Sequence, residues 1–214
     1  MIKEESFGGI KYLVYLPQSF DEKNKYPTVF HTHGAGSRGN DLEVLKKAGI
    51  LKEAIGGFPQ LQDCIIVCPQ CAKDTWFDVF ESLISLCRHV YSLEYVDNTR
   101  FYSSGISMGG YAAVQLMMSC PELFAAGIVC CGGGMYWNAS RLKDIPLRFF
   151  HGAQDKTVFP EESLHLCAKI CAAGGDAKIT VYPNNAHNCW DDTYSNPDVY
   201  EWLFSKKKEI KNEL

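Results

Sequence analysis

The sequence predicts an α/β fold: a mostly parallel central sheet with helices on both faces. Three observations predict it. Strand-like and helix-like patterns alternate along the whole chain. The strand-like runs are short and apolar on both faces, as buried parallel strands are. Gly and Pro number 18 and 9 in 214 residues, more than the few turns of a helical bundle require and in keeping with many strand–turn–helix junctions.

The elements follow in order. Ile10–Leu16 alternates and stops at Pro17, an early half-exposed strand. Thr28–Thr32 runs into a glycine-rich turn, and Ile65–Val67 is a β-branched run ended by Pro69. From Val79 to Tyr95 the apolar residues fall at helical spacing. Arg100–Ile106 is a strand, and Met108–Met118 a helix that ends before Pro121. Ala125–Cys131 and Leu147–Phe150 are buried strands. Pro160 opens a helix closed by Gly174-Gly175. Ile179–Tyr182 is the last strand and Tyr200–Lys207 belongs to the last helix, with Lys206-Lys207-Lys208 as its solvated end. That makes about seven strands.

At this length the chain reads as one domain, residues 1–214, with no large lid. With 46% apolar and 21% charged residues, burial can offset the ordering entropy, which excludes disorder as the main state. The balance of 21 basic against 25 acidic residues gives −4, which argues against a nucleic-acid partner. No run reaches the ~18 consecutive apolar residues of a membrane span. Met1–Phe7 carries Lys3, Glu4 and Glu5 and has no apolar signal core. A cytoplasmic location is therefore expected.

Ten cysteines invite a disulfide reading, yet most sit in apolar runs, where a free thiol behaves as a small hydrophobe. Cys68-Pro-Gln-Cys71 is formally C-x-x-C, but no second Cys/His pair stands at metal spacing. No metal site is expected. Asn138-Ala139-Ser140 is a chance-level sequon.

Functional loops in such sheets gather at the carboxyl ends of the strands. Directly after Arg100–Ile106 stands Gly105-Ile106-Ser107-Met108-Gly109-Gly110. This is G-x-S-x-G between a strand and a helix, a turn so tight that glycines must flank the serine, whose hydroxyl it lifts to the top of the sheet. The bland alternative is an ordinary helix start with Ser107 near the cap. The other loops favour chemistry. His151-Gly152-Ala153-Gln154-Asp155 follows one later strand, and Pro183-Asn184-Asn185-Ala186-His187-Asn188 follows the next. The order Ser, acid, His suits a serine activated by a histidine base that an acid orients. Asp191 and Asp192 follow His187 too closely to orient it, and Asp144 precedes its strand, so Asp155 is the expected acid.

His33-Gly34-Ala35-Gly36 follows an early strand. The Ala35 N–H, with that of Met108, would complete an oxyanion hole. A phosphate loop is the poorer reading, because no G-K-[ST] follows. His33 is expected to anchor this turn. His31 is expected to pack, His89 and His165 to lie in helices, and His151 to bond locally. Gly36, Gln70, Trp76 and Trp190 are the candidate substrate contacts, with bracing or loop packing as the alternative for Gln70 and the tryptophans. Tyr136 and Trp137 belong to the stretch Gly132–Asp144, which is the one segment long enough for a small cap.

Taken together, the sequence resembles the α/β-hydrolases. It is most similar to the compact carboxylesterase type that includes polyhydroxybutyrate-depolymerase-like, feruloyl-esterase-like and phospholipase/carboxylesterase proteins. The resemblance runs from Tyr12 to about Phe204. It rests on the His33–Asp41 turn, Pro69-Gln70-Cys71 with Trp76, and the Gly105–Gly110, His151–Asp155 and His187–Trp190 loops. It implies serine hydrolysis of carboxylic esters through an acyl-enzyme, with no cofactor; the expected substrate is a small-molecule or sugar-linked ester, the strand-end aromatics offering flat stacking surfaces. A peptidase or thioesterase on the same residues, or an idle binding protein on the same scaffold, are the alternatives.

Overall fold

The computed structural model describes residues 1–209; the last five residues of the expected domain lie outside them. The strands in chain order are β1 (Ile2–Phe7), β2 (Ile10–Tyr15), β3 (Tyr26–Thr32), β4 (Ile65–Pro69), β5 (Val96–Ile106), β6 (Ala126–Cys130), β7 (Leu147–Gly152) and β8 (Ala177–Tyr182). The helices are α1 (Gly49–Ile55), α2 (Phe80–Tyr91), α3 (Met108–Ser119), α4 (Glu161–Ala172), α5 (Trp190–Tyr194) and α6 (Pro197–Phe204). All eight strands join one sheet in the order β1-β2-β4-β3-β5-β6-β7-β8. Pairing is antiparallel for β1 with β2 and β2 with β4, and parallel throughout the rest.

Each strand sends alternate side chains to opposite faces, and each face has its own core. Phe30, Val67, Phe101, Val129 and Phe149 pack under α2, α3 and α4. Val29, Ile66, Tyr102, Ile128 and Cys130 pack under α1, α5 and α6. The expected α/β class is therefore the observed one, and the structure has the α/β-hydrolase arrangement of strands. Because β3 to β8 are parallel, their carboxyl ends open on one edge. No separate domain covers that edge among the described residues.

The structure has one strand more than expected. β1 is exposed or half-exposed throughout, so it lacks the apolar alternation that marks a strand. It is held by a two-residue hairpin at Gly8 and Gly9, whose φ angles of 57° and 82° suit the twist of paired strands. The last helix spans Pro197–Phe204, earlier than expected. Asn196 caps it by accepting the Asp198 N–H at 3.0 Å, with Pro197 in the first turn. Lys206–Lys208 thus lie beyond the helix, where the Lys208 N–H donates to the Thr99 carbonyl at 2.9 Å.

All ten cysteines are free, and only Cys171 is exposed. Burial pushes the Cys68 and Cys71 thiols up. The Cys71 thiol is spent on the Lys73 and Thr75 carbonyls, at 3.4 and 3.2 Å. This is the environment of a structural cysteine, not a reactive one. No helix among the described residues is long and apolar enough to cross a membrane.

Phe101 has no exposed surface and stacks at 5.3–6.5 Å between Phe30, Tyr91 and Phe124. Phe101→Ala is expected to cost about 3–5 kcal/mol in urea unfolding, through lost transfer energy and the cavity left behind. A loss below about 1 kcal/mol would show that this core can collapse into the space.

Candidate active site

Ser107 lies between β5 and α3 with φ 54° and ψ −120°, a conformation a non-glycine residue adopts only when its surroundings force it. The forcing is visible at the glycines. A Cβ on Gly105 would sit 2.2 Å from the Gly109 carbonyl oxygen, and one on Gly109 would sit 2.1 Å from the Thr32 carbonyl oxygen. The Thr32 hydroxyl clamps the turn by donating to the Gly109 carbonyl at 2.6 Å. The Ser107 N–H is held by the Cys130 carbonyl at 2.9 Å. Only a chain bare at 105 and 109 can wind this tightly.

The β7 and β8 loops meet in the same way. A Cβ on Gly152 would lie 2.0 Å from the Ala186 carbonyl oxygen. The N–H groups of Ala153 and Gln154 donate across to Tyr182 and Asn185, each at 2.9 Å. The result brings together the three residues singled out from the sequence. His187 Nε2 lies 2.9 Å from Ser107 Oγ, and His187 Nδ1 lies 2.7 Å from Asp155 Oδ2. A carboxylate only accepts, so Nδ1 carries the proton and Nε2 offers a lone pair to the serine hydroxyl.

Asp155 is 3% exposed. Burial alone would push its carboxyl up, but hydrogen bonds to the anion win. His187 donates to one oxygen, and the Val158 and Thr157 N–H groups donate to the other at 3.0 and 2.8 Å. The net effect holds Asp155 below the usual carboxylate value. Behind it lies His151, whose side chain is sealed from solvent. His151 Nδ1 meets Ser163 Oγ at 2.9 Å, and Nε2 lies 2.9 Å from the Val158 carbonyl and 3.3 Å from Asp155 Oδ2. The sequence marked His151 only as a local bonder. Its place beside the buried acid is the contact that could have been suspected from its spacing of four residues.

The loop after β3 packs beside the serine. A Cβ on Gly34 would be 3.5 Å from Ser107 Cβ. The N–H of Ala35 has no hydrogen-bond partner among the described residues, and that of Met108, first in α3, has no acceptor within its helix. His33 braces this loop as expected. Its Nδ1 donates to the Gly34 carbonyl at 2.7 Å and its Nε2 accepts the Cys71 N–H at 2.9 Å. Burial drives its pKa down to about 4, with the Gly34 bond opposing in part, so the ring stays neutral.

Two expected substrate contacts are corrected. Gln70 is 3% exposed, and its amide donates to the Ser37 and Asp41 carbonyls at 3.0 and 2.8 Å. Trp76 is fully buried, and its indole N–H donates to the His33 carbonyl at 3.0 Å. Both face inward as braces of the loop, because each has a backbone carbonyl that no other group satisfies so closely. Gly36 and Trp190 do line the cleft over Ser107, with Leu45, Ala48, Ile106 and Thr157. The cleft holds about 440 Å³. Trp190 stands edge-on to His187, with ring centroids 5.5 Å apart. Cys131, Asp155 and His187 also place one possible ligand atom each within 4.8 Å of one another. A cation there would have to displace the proton that His187 shares with Asp155.

Residues 71–148 match the model of the prolyl oligopeptidase family; Ser107 lies inside the match, and Asp155 and His187 lie beyond it. No curated protein matches the sequence. Among solved structures, a thermostable esterase aligns with a TM-score of 0.86 and 32% identity over 97% of this chain and 63% of its own. Dipeptidyl peptidase 4 of Porphyromonas gingivalis aligns with a TM-score of 0.73 and 16% identity over 96% of this chain and 35% of its own. Est1E from Butyrivibrio proteoclasticus gives 0.67 and 15% identity over 95% and 96%. The chain thus spans under two thirds of the esterase and about a third of the peptidase.

Gln70→Ala is expected to cost about 1–3 kcal/mol, because the Ser37 and Asp41 carbonyls lose the donor of a buried side chain; chemical denaturation reads it. For Asp155 the depressed folded-state pKa sets the sign. Its ionised form stabilises the protein above the ordinary carboxylate value, and that stability is lost as the pH falls through the lower folded value. The stability gap between wild type and Asp155→Asn should be full at neutral pH and close in that acid window. A gap that does not change with pH would show that the carboxylate is unpaired.

Proposed function

This chain is an α/β-hydrolase by fold, and from that premise we propose that it is a serine hydrolase cleaving carboxylic esters through an acyl-enzyme. One observation carries the reading: the continuous Ser107–His187–Asp155 chain, with links of 2.9 and 2.7 Å. A serine hydroxyl is a poor nucleophile until a base takes its proton, and here an imidazole nitrogen is within bonding reach of it.

In this reading Ser107 Oγ attacks the ester carbonyl carbon while its proton passes to His187 Nε2. The carbonyl oxygen becomes an oxyanion and takes hydrogen bonds from the N–H groups of Ala35 and Met108. Each such donor is typically worth ~3 kcal/mol in the transition state. Asp155 stabilises the imidazolium through Nδ1 without itself taking the proton. The tetrahedral intermediate collapses, the carbon–oxygen bond to the alcohol breaks, and the leaving oxygen collects the proton from Nε2. Water then attacks the acyl-serine, giving a proton to His187. The second collapse releases the acid and returns that proton to Ser107. Every step uses groups of the chain and water.

The substrate in this reading is a small ester, bare or linked to a sugar, seated in the cleft over Ser107 that Gly36 and Trp190 line. The family match over residues 71–148 supports a second reading, a peptidase on the same residues, since only the leaving group differs. Turnover of p-nitrophenyl acetate and a methyl cinnamate, measured against an aminoacyl anilide, separates the two.

Ser107→Ala should lower ester hydrolysis at least about 10⁴-fold and abolish labelling by a fluorophosphonate probe, with the melting temperature near that of wild type. A folded variant that keeps its activity would remove Ser107 from the reaction.

A further inference from the structure

Beneath the cleft lies a polar atom that the reaction does not use. His31, on β3, is 4% exposed and lines the cleft among Leu45, Ala48, Cys68 and Ile106. Its Nδ1 is 3.2 Å from Ser104 Oγ, which is 2.6 Å from the Tyr194 hydroxyl. Ser104 and Tyr194 are almost completely buried. Tyr194 also stands edge-on to the His31 ring, with centroids 5.7 Å apart. The ring is thus held from behind in one orientation.

His31 Nε2, by contrast, has no hydrogen-bond partner among the described residues, on a side chain that lines the cleft. The backbone opposite is kept bare for it. Gly49 has φ 68°, and a Cβ there would lie 2.8 Å from Nε2 and 2.9 Å from Ile106 Cδ1. A buried polar group without a partner is costly, so this nitrogen is suited to a partner that arrives with the substrate.

Burial, with His33 nearby, drives the His31 pKa down to about 3, so the ring is neutral and carries one proton.

We propose that His31 determines acyl specificity. In this assignment Tyr194 donates to Ser104 and Ser104 to Nδ1, and the resulting Nε2–H is the donor that selects acyl chains carrying an acceptor oxygen, such as an ether or keto group, over plain alkyl chains of equal length. The acyl side is the one concerned. The leaving alcohol must face His187 to collect its proton, and the assignment gives the part of the cleft lined by His31, Leu45 and Ile106 to the acyl chain. A site with a buried donor discriminates against an analogue that cannot satisfy it. The assignment rests on the serine-esterase reading above.

The test uses two pairs of p-nitrophenyl esters, each differing by an oxygen in place of one methylene: 3-methoxypropanoate against pentanoate, and 4-methoxybutanoate against hexanoate. Each kcat/KM is divided by the alkaline hydrolysis rate constant of the same ester. In at least one pair the wild-type protein should favour the oxygenated ester by roughly three- to tenfold. His31→Leu should bring that ratio to about one, and His31→Gln, which keeps an N–H donor, should restore part of it. Equal rates within both pairs for wild type, or a preference that survives in His31→Leu, would overturn the assignment. The wild-type ratios decide it alone if His31→Leu does not fold. Hydrolysis of these esters by Ser107→Ala would instead strike the underlying reading. Flat ratios with Ser107-dependent hydrolysis strike only the role of His31.

Discussion

The approach of Gly109 to the end of β3 is the contact on which the rest depends. A side chain at this position would lie 2.1 Å from the Thr32 carbonyl oxygen and 2.5 Å from that of His33. Backbone therefore touches backbone, and the Thr32 hydroxyl ties the two segments together. With that contact made, the turn that holds Ser107 and the loop that holds Ala35 share one wall of the cleft. The same device recurs where Gly152 meets Ala186, which brings the segments of Asp155 and His187 together. Precise distances between side chains far apart in sequence thus rest on a few places where no side chain exists.

Four histidines near this edge are told apart by what occupies their nitrogens. His33 has its lone pair filled by the Cys71 N–H, so it cannot serve as a base. His151 has both ring nitrogens engaged behind Asp155. His31 is neutral and held by Ser104. Only His187 combines a donor bond to a buried carboxylate with an acceptor nitrogen at a hydroxyl. One residue type thus supplies a brace, a support, a lining group and the partner of a serine hydroxyl, and hydrogen-bond geometry decides which.

Much of this was legible in the sequence, because strand ends in a parallel sheet share an edge. Ser107, Asp155 and His187 each follow a strand, and their convergence follows from that topology. Residue type does not reveal direction, and there the sequence misled. Gln70 and Trp76 look like substrate contacts by chemistry, but a glutamine or an indole next to unsatisfied carbonyls serves them first. β1 was hidden because an edge strand with both faces open has no apolar rhythm. α1 and α5, at seven and five residues, are too short to show a helical period. His31 was expected to pack, and it is buried. That its ring lines the cleft and packs against the bare backbone of Gly49 is a placement no local pattern announces.

The unpaired thiols have a consequence for how this architecture endures. No disulfide joins these thiols, so none shortens the reach of the unfolded chain, and the redox poise of the surroundings has no disulfide to break in the folded state. Nine sulfurs are shielded by neighbouring groups, while Cys171 on α4 meets the solvent. A reporter dye placed there would need no engineered attachment point, and it would sit on a helix remote in sequence from Ser107.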